Sequence, residues 1–331
     1  MALKRCSWIL AMVTALVFMP AGALAQAGRP SAEPTEVEVA IVVLDLERID
    51  DAMQGFSANV LFVAQWIDPR LAHDGPGVES LALGDVWNPR LQIVNVRKVV
   101  TTLPTTVVVA SDGTVTYRQR VLGEFSQKLG LADFPLDRQR LAIQVVATGY
   151  SQDEIAFTTY SRFPSGIVPD LSISDWEILG SRAMADVFQP MAGVPAIASY
   201  FFEIDVRRMF GYYLYKIILP LFLIVAMSWL VFWIDADLAG PQISIAVTSM
   251  LTLIAYRFMV SGMLPRIPYL TRMDYFTSGS TILIFLTLVV ATMTVMITKR
   301  GRLDRAQAMD RYSRVIFPLA FIVLSMWSFW P

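Results

Sequence analysis

The chain has 331 residues, 55% of them apolar, and a formal net charge of -1 from 27 basic and 28 acidic side chains. Near-neutral charge excludes nucleic acid as a partner, because binding phosphates needs a strong basic excess. The apolar share is too high for a wholly soluble protein and too low for one embedded throughout, so two zones of different character are expected.

Residues 1–25 place Lys4 and Arg5 ahead of an apolar run that ends in Ala23-Leu24-Ala25. That is the pattern of a secretory signal peptide cleaved after Ala25, followed by a flexible N-terminal segment over 26–35. The single cysteine, Cys6, lies in the signal, so no disulfide is expected after export. The single histidine, His73, stands in the turn-rich AHDGPG and reads as a loop residue, not a metal ligand or nucleophile. No GxSxG, HExxH, P-loop or GxGxxG pattern occurs, and neither an enzyme nor a cofactor or metal site is expected.

Residues 36–210 read as strands and turns. VEVAIVVLDL, NVLFVAQWI, RLQIVNV, TTVVVAS, TVTYRQRVL, RLAIQVV, EIAFTTY and SYFFEIDV are rich in β-branched and aromatic residues. Val115, Tyr117, Gln119 and Val121 share one strand face, and Asp112-Gly113 has the composition of a two-residue hairpin turn. Many short strands without a helical period between them predict an all-β, immunoglobulin-like sandwich.

Residues 211–331 change character. Four stretches, about 212–234, 242–262, 273–297 and 312–330, are long and apolar enough to cross a bilayer, with Pro220 expected to kink the first. Lys299, Arg300, Arg302, Arg305, Arg311 and Arg314 crowd the connection between the third and fourth, which places that connection in the cytoplasm. An even number of spans then puts the sandwich on the other side of the membrane.

The second span is the least lipid-like. At 100° per residue, Ser244, Thr248, Leu251, Ala255 and Phe258 fall in one narrow stripe, hydroxylic at the inner end and bulky at the outer end. Such a stripe serves either helix packing through small residues or a pore wall with an apolar gate, and the pore requires a symmetric oligomer. Asp235 and Asp237 precede this span, where carboxylates at a pore mouth concentrate cations, although solvated loop residues would look the same.

Several motifs then occur in a familiar order. QWIDPRL carries Trp66, Asp68, Arg70 and Leu71; WNP carries Trp87 and Pro89; DGTVTY is followed by FPLDRQRL; and MLPRIPY follows the second span. The chain resembles the pentameric ligand-gated ion channels, also called the Cys-loop receptor family. The resemblance runs over nearly the whole chain after the signal. Positions where animal members carry the loop cysteines hold Gln127 and Leu141 here, and the link between spans three and four is short, both as in the bacterial branch.

The resemblance implies a homopentamer in a bacterial inner membrane with its N-terminal domain in the periplasm. It implies a small-molecule agonist bound between subunits, with Tyr150, Phe188 and Tyr200 as candidate aromatics. It also implies gating coupled through Phe134, Pro135, Asp137 and Arg208 to the outer connection that holds Pro265 and Pro268. Phe134-Pro135 is expected as a stiff wedge at a loop tip, with Asp137 and Arg208 paired. An ion channel selective for cations is the expected function; the alternatives are a non-conducting periplasmic sensor and an anion-selective channel of the same fold.

Overall fold

The computed structural model describes residues 28–262 and 267–329. The signal with Cys6, and Pro265, lie outside the described residues. Within them the strands are β1 (Thr35–Asp50), β2 (Gly55–Ile67), β3 (Val78–Ala82), β4 (Leu91–Ile93), β5 (Val96–Thr101), β6 (Thr106–Ala110), β7 (Thr114–Ser126), β8 (Arg138–Ala147), β9 (Ile155–Thr159), β10 (Gly166–Ile167), β11 (Trp176–Phe188) and β12 (Ile197–Arg208). One sheet runs β10-β1-β2-β7-β6-β3, with β9 also paired to β1 and β5 to β7; the other runs β11-β12-β8-β4. β1 takes β9 and β10 in parallel, and the other pairs are antiparallel.

The sandwich core follows from alternation. On β12, Ala198, Tyr200, Phe202, Ile204 and Val206 are all buried, and they meet Trp66, Val115, Leu141 and Ile143 across the two sheets in one apolar cluster. β3, β5, β10 and β11 are strands that carry no such signal. In β5 every residue after Val96 is exposed, and β11 buries only its first residue, so neither sequence alternates.

Asp112-Gly113 is not a two-residue turn. Three residues, 111–113, join β6 to β7, with Gly113 at φ 83° and its amide bonded to the Ala110 carbonyl. That is the composition of a type I turn closed by a left-handed glycine. The turn packs on the segment after β2: the Asp68 amide donates to the Gly113 carbonyl, and a Cβ on Gly113 would lie 2.5 Å from the Asp68 carbonyl oxygen.

Four apolar helices follow: α1 (Gly211–Trp233), α2 (Ala239–Ser261), α3 (Arg272–Lys299) and α4 (Leu303–Phe329). Helix α4 begins nine residues before the expected 312, because apolar content locates the lipid-spanning part and not the helix. LDRAQAMDR is good helix-forming sequence, so the charged segment is two helical turns and the α3–α4 link shrinks to residues 300–302. In α1, Leu214–Ile218 forms a wide π-turn just ahead of Pro220. The proline has no N–H for the Lys216 carbonyl and crowds it, and the wider turn relieves both faults.

Gly113→Ala is expected to lower the stability of the folded subunit by ~2 kcal/mol or more, since a left-handed non-glycine residue is strained and its Cβ has no room. Thermal unfolding in detergent checks this, with Gly84→Ala, whose Cβ meets no atom within 4 Å, as the variant that leaves the midpoint in place.

Candidate functional site

Three sets of residues bear on function: the junction between sandwich and bundle, the second helix, and the loops beside β4, β8 and β12.

At the junction the loop 127–137, between β7 and β8, is anchored from within. Leu129, Leu131, Phe134 and Pro135 are buried, and Gln139 bonds both polar atoms of the Gly130 backbone. Phe134-Pro135 is packed inward at the junction. The ring of Phe134 is fully buried against Tyr213 of α1 and the Arg208 guanidinium, at 4.9 and 4.8 Å. Burial of a side chain this size is worth roughly 1.5–3 kcal/mol, enough to hold the loop in place.

Among the described residues, the loop meets the start of α3 and Tyr269 just before it. The Arg272 amide donates to the Ala132 carbonyl and the Met273 amide to the Phe134 carbonyl. These are first-turn N–H groups that have no partner within their own helix. The Arg272 guanidinium adds an ion pair to Asp133 at 2.6 Å, and the Tyr269 hydroxyl accepts from the Leu131 amide at 3.1 Å. Pro268 is exposed in the connection and makes none of these bonds.

Arg208, the last residue of β12, lies three residues before α1 and has only 4% of its side chain exposed. Its Nε and one Nη hold both oxygens of Asp137, at 2.7 and 3.1 Å. The same Nη also reaches Asp51, in the β1–β2 turn, at 2.7 Å, while the other donates to the Tyr213 hydroxyl at 3.1 Å. Trp176 covers the guanidinium face at 4.2 Å. The expected pair with Asp137 is thus one arm of a larger knot that joins the β1–β2 turn, the 127–137 loop, β11, β12 and α1.

Burial works against the Arg208 charge, yet the bonds from Asp137 and Asp51 outweigh it and push its pKa above the usual arginine value. Asp51 bears the cost: burial pushes its carboxyl above the usual range, only partly offset by Arg208. Asp51, Trp176 and Tyr213 were not found from sequence. Asp51 stands in RIDDAMQG, an ordinary acidic turn, and only the tertiary fold brings it to Arg208.

In α2 two faces separate. Gln242, Ala246, Ser249, Leu253, Tyr256 and Val260 are buried against the rest of the subunit. Ser244, Thr248, Leu251, Ala255 and Phe258 are all exposed; Leu251 is 62% and Phe258 77% accessible. The second set is displaced by two residues from the first, about 200° around the helix. The Ser244 and Thr248 hydroxyls make no hydrogen bond among the described residues. Asp235 and Asp237 are exposed in the turn before α2. Arg257 leans on its own subunit, donating to Thr281 of α3 at 3.3 Å.

Two bonds tie α2 to α1. The Tyr256 hydroxyl donates to the Ile217 carbonyl, inside the π-turn, at 2.5 Å, and the Gln242 amide donates to the Ile234 carbonyl at 3.1 Å.

The candidate aromatics divide. Tyr200 is fully buried, its hydroxyl bonded to Ser165, because its place in the β12 alternation points it into the sandwich; it cannot line a surface pocket. Tyr150 is half-buried beside Trp87, whose indole N–H donates to its hydroxyl at 2.9 Å. The guanidinium of Arg90 sits 6.0 Å from the Tyr150 ring, so that face already meets a cation. Thr148 bonds the Arg90 carbonyl through its amide and its hydroxyl, and the Gln152 amide donates to the Ala196 carbonyl. Loops 87–90, 148–152 and 189–196 therefore meet at one end of the second sheet, with half-buried Phe188 at the root of the last.

Two family models match the chain: the neurotransmitter-gated ion-channel ligand binding domain over residues 23–189, and the neurotransmitter-gated ion-channel transmembrane region over residues 217–306. The proton-gated ion channel of Gloeobacter violaceus is 25% identical over 302 residues, covering 89% of this chain and 82% of that protein. The gamma-aminobutyric acid receptor subunit gamma-1 of Rattus norvegicus is 27% identical over 263 residues, 76% of this chain and 56% of the subunit. The beta-4 subunit of Gallus gallus is 24% identical over 296 residues, 85% and 59% respectively. The chain thus spans most of the bacterial channel but little more than half the length of the animal subunits. A β-sandwich, four membrane-spanning helices and two matching family models make this chain a member of the neurotransmitter-gated, pentameric ligand-gated ion-channel family, and not an enzyme.

Proposed function

We propose that the chain is one subunit of a homopentameric, cation-selective channel in a bacterial inner membrane. Residues 36–210 lie in the periplasm, and an agonist held between subunits near Tyr150 and Phe188 opens a pore lined by α2. The observation that carries this reading is the division of α2 into a packed face and an uncovered stripe. A lipid-facing stripe would not hold Ser244 and Thr248 with unbonded hydroxyls. Five copies about an axis turn these hydroxyls toward passing ions and bring Leu251 and Phe258 into apolar rings able to dewet. Asp235 and Asp237 ring the inner mouth and favour cations there. Lys299, Arg300 and Arg302 at the α3–α4 link support a cytoplasmic inner end.

Agonist occupancy is transmitted through the Arg208 knot. Its carboxylate partners belong to two loops of the sandwich, and Arg208 itself leads straight into α1. The 127–137 loop also holds the first amides of α3, so a shift of the sandwich base moves two helices together.

Leu251→Ala is expected to raise resting ion flux through liposome-reconstituted protein roughly tenfold, which corresponds to about 1.4 kcal/mol off the barrier. Membranes that stay electrically silent in parent and variant, with ligand still bound, would instead make the protein a sensor. Replacing both Asp235 and Asp237 by Asn should move the reversal potential toward equal cation and anion permeation; an unchanged potential would remove their role. Arg208→Lys keeps the charge but loses the fork that serves two carboxylates. Pentamers of this variant should reach the membrane in normal amounts, yet pass at least about tenfold less current under any ligand or pH that opens the parent, a loss of ~1.4 kcal/mol or more in coupling. Normal currents would leave the knot a purely structural clamp.

A further inference from the structure

The polar chemistry of the bundle is not confined to the pore stripe. On α4 the buried residues are Ala306, Asp310, Ser313, Phe317, Phe321 and Ser328, so an aspartate occupies a core position near the start of the helix, 3% exposed. A carboxylate buried there, in the helical turns that precede the lipid-spanning part, is costly unless bonded. Asp310 has two bonded neighbours on two other helices. Thr294 of α3, fully buried, donates to one carboxylate oxygen at 2.9 Å. Gln242 of α2, also fully buried, places its amide nitrogen 3.5 Å from the other. One turn along α4, Arg314 donates to the Phe232 carbonyl at the end of α1 at 2.8 Å, with its guanidinium 5.7 Å from the Trp233 ring.

The cluster thus gathers all four helices at the end of the bundle away from the sandwich. Its contact on α2 is Gln242, the first buried residue of that helix and two positions before Ser244. Because a helix is stiff over two residues, whatever fixes the rotation of Gln242 fixes the direction of Ser244 and, one turn on, of Thr248. The Gln242 amide is shared between Asp310 and the Ile234 carbonyl, while its own carbonyl oxygen is buried without a partner among the described residues. Held on one side only, the amide depends on those two acceptors for its orientation.

We propose that Asp310 is a positioning residue of the pore: acting through Gln242, it sets the rotation of the inner end of α2, so that a helix with no place in the pore wall decides whether the Ser244 and Thr248 hydroxyls face the axis. This inference rests on the reading of α2 as the pore helix. Loss of the carboxylate lets the Gln242 amide seek other partners, its unbonded oxygen included, and turns the stripe away from the axis.

The test uses cysteine accessibility in full-length pentamers in liposomes, with the only natural cysteine removed as Cys6→Ser. Ser244→Cys reports the stripe and Ala246→Cys the packed face, each treated with a charged, membrane-impermeant thiosulfonate from the inner side. In the parent, Ser244→Cys should react and block flux while Ala246→Cys stays inert. Added Asp310→Asn should slow the reaction at position 244 at least about fivefold and expose position 246, a change within the usual range for coupled sites. Gln242→Ala should do the same, and combining it with Asp310→Asn should add nothing further. If Asp310→Asn prevents assembly, Gln242→Ala alone decides. Parent rates retained in the assembled variants would overturn the positioning role. A parent in which position 244 never reacts would overturn the pore reading itself, and this inference with it.

Discussion

One buried guanidinium holds the two halves of this protein in register. Arg208 is enclosed by Trp176, Phe134 and Tyr213 and bonded to Asp137 and Asp51, at the last residue of β12 before the chain enters the membrane. A charge so deeply buried is strongly destabilising if left alone, by about 3–5 kcal/mol when one partner of such a pair is removed. The surrounding segments are therefore obliged to keep their carboxylates and rings in place. Burial raises the Asp51 carboxyl, with the nearby Asp137 adding a smaller push in the same direction, while Arg208 stays firmly charged. A clamp of this kind is rigid in one arrangement and costly in any halfway state, the property needed to convert a loop movement into a switch.

How much of this was legible in the sequence depended on whether the pattern was local. Strands such as β7, β8 and β12 announced themselves because one face is buried more than the other, which imposes alternation, while β2, buried on both faces, showed as a nearly continuous apolar run. β11 has no covered face in a single subunit and carries no period, so Trp176 was invisible as a lid on Arg208. Tyr200 was misjudged for the opposite reason: its aromatic character was weighed above its position in the inward set with Phe202 and Ile204. Hydropathy placed all four membrane helices but not the start of α4, since helix formation continues past the lipid boundary wherever side chains favour it.

The Asp137–Arg208 pair was anticipated, whereas Asp51 and Asp310 were not. Both missed acids act through contacts far away in sequence, with Arg208 and with Thr294 and Gln242, and no local spacing marks them. The stripe on α2 needs no such contact to be drawn, because a helical face is a matter of angle and the residues sit within one segment. Ser244, Thr248, Leu251, Ala255 and Phe258 are exposed on α2, and so are Ile243, Val247, Ile254 and Met259.

The attachment of α2 to α1 gives the junction its reach. A helix bonds its own carbonyls, so a side chain from a neighbour reaches them most readily where the regular pattern is broken. From α2 two such bonds are made: in the π-turn ahead of Pro220, where Tyr256 binds Ile217, and just beyond the helix end, where Gln242 binds Ile234. These two side chains lie on the buried face of α2, fourteen residues and about 21 Å apart along the helix. Two fixed points define both tilt and rotation of a stiff rod; one would leave the rotation free. Since α1 starts three residues after Arg208, a displacement at the base of the sandwich would pass along α1 and reach α2 at both points. The outer bond alone would tilt α2, and the inner one, braced by Asp310, makes it turn as well.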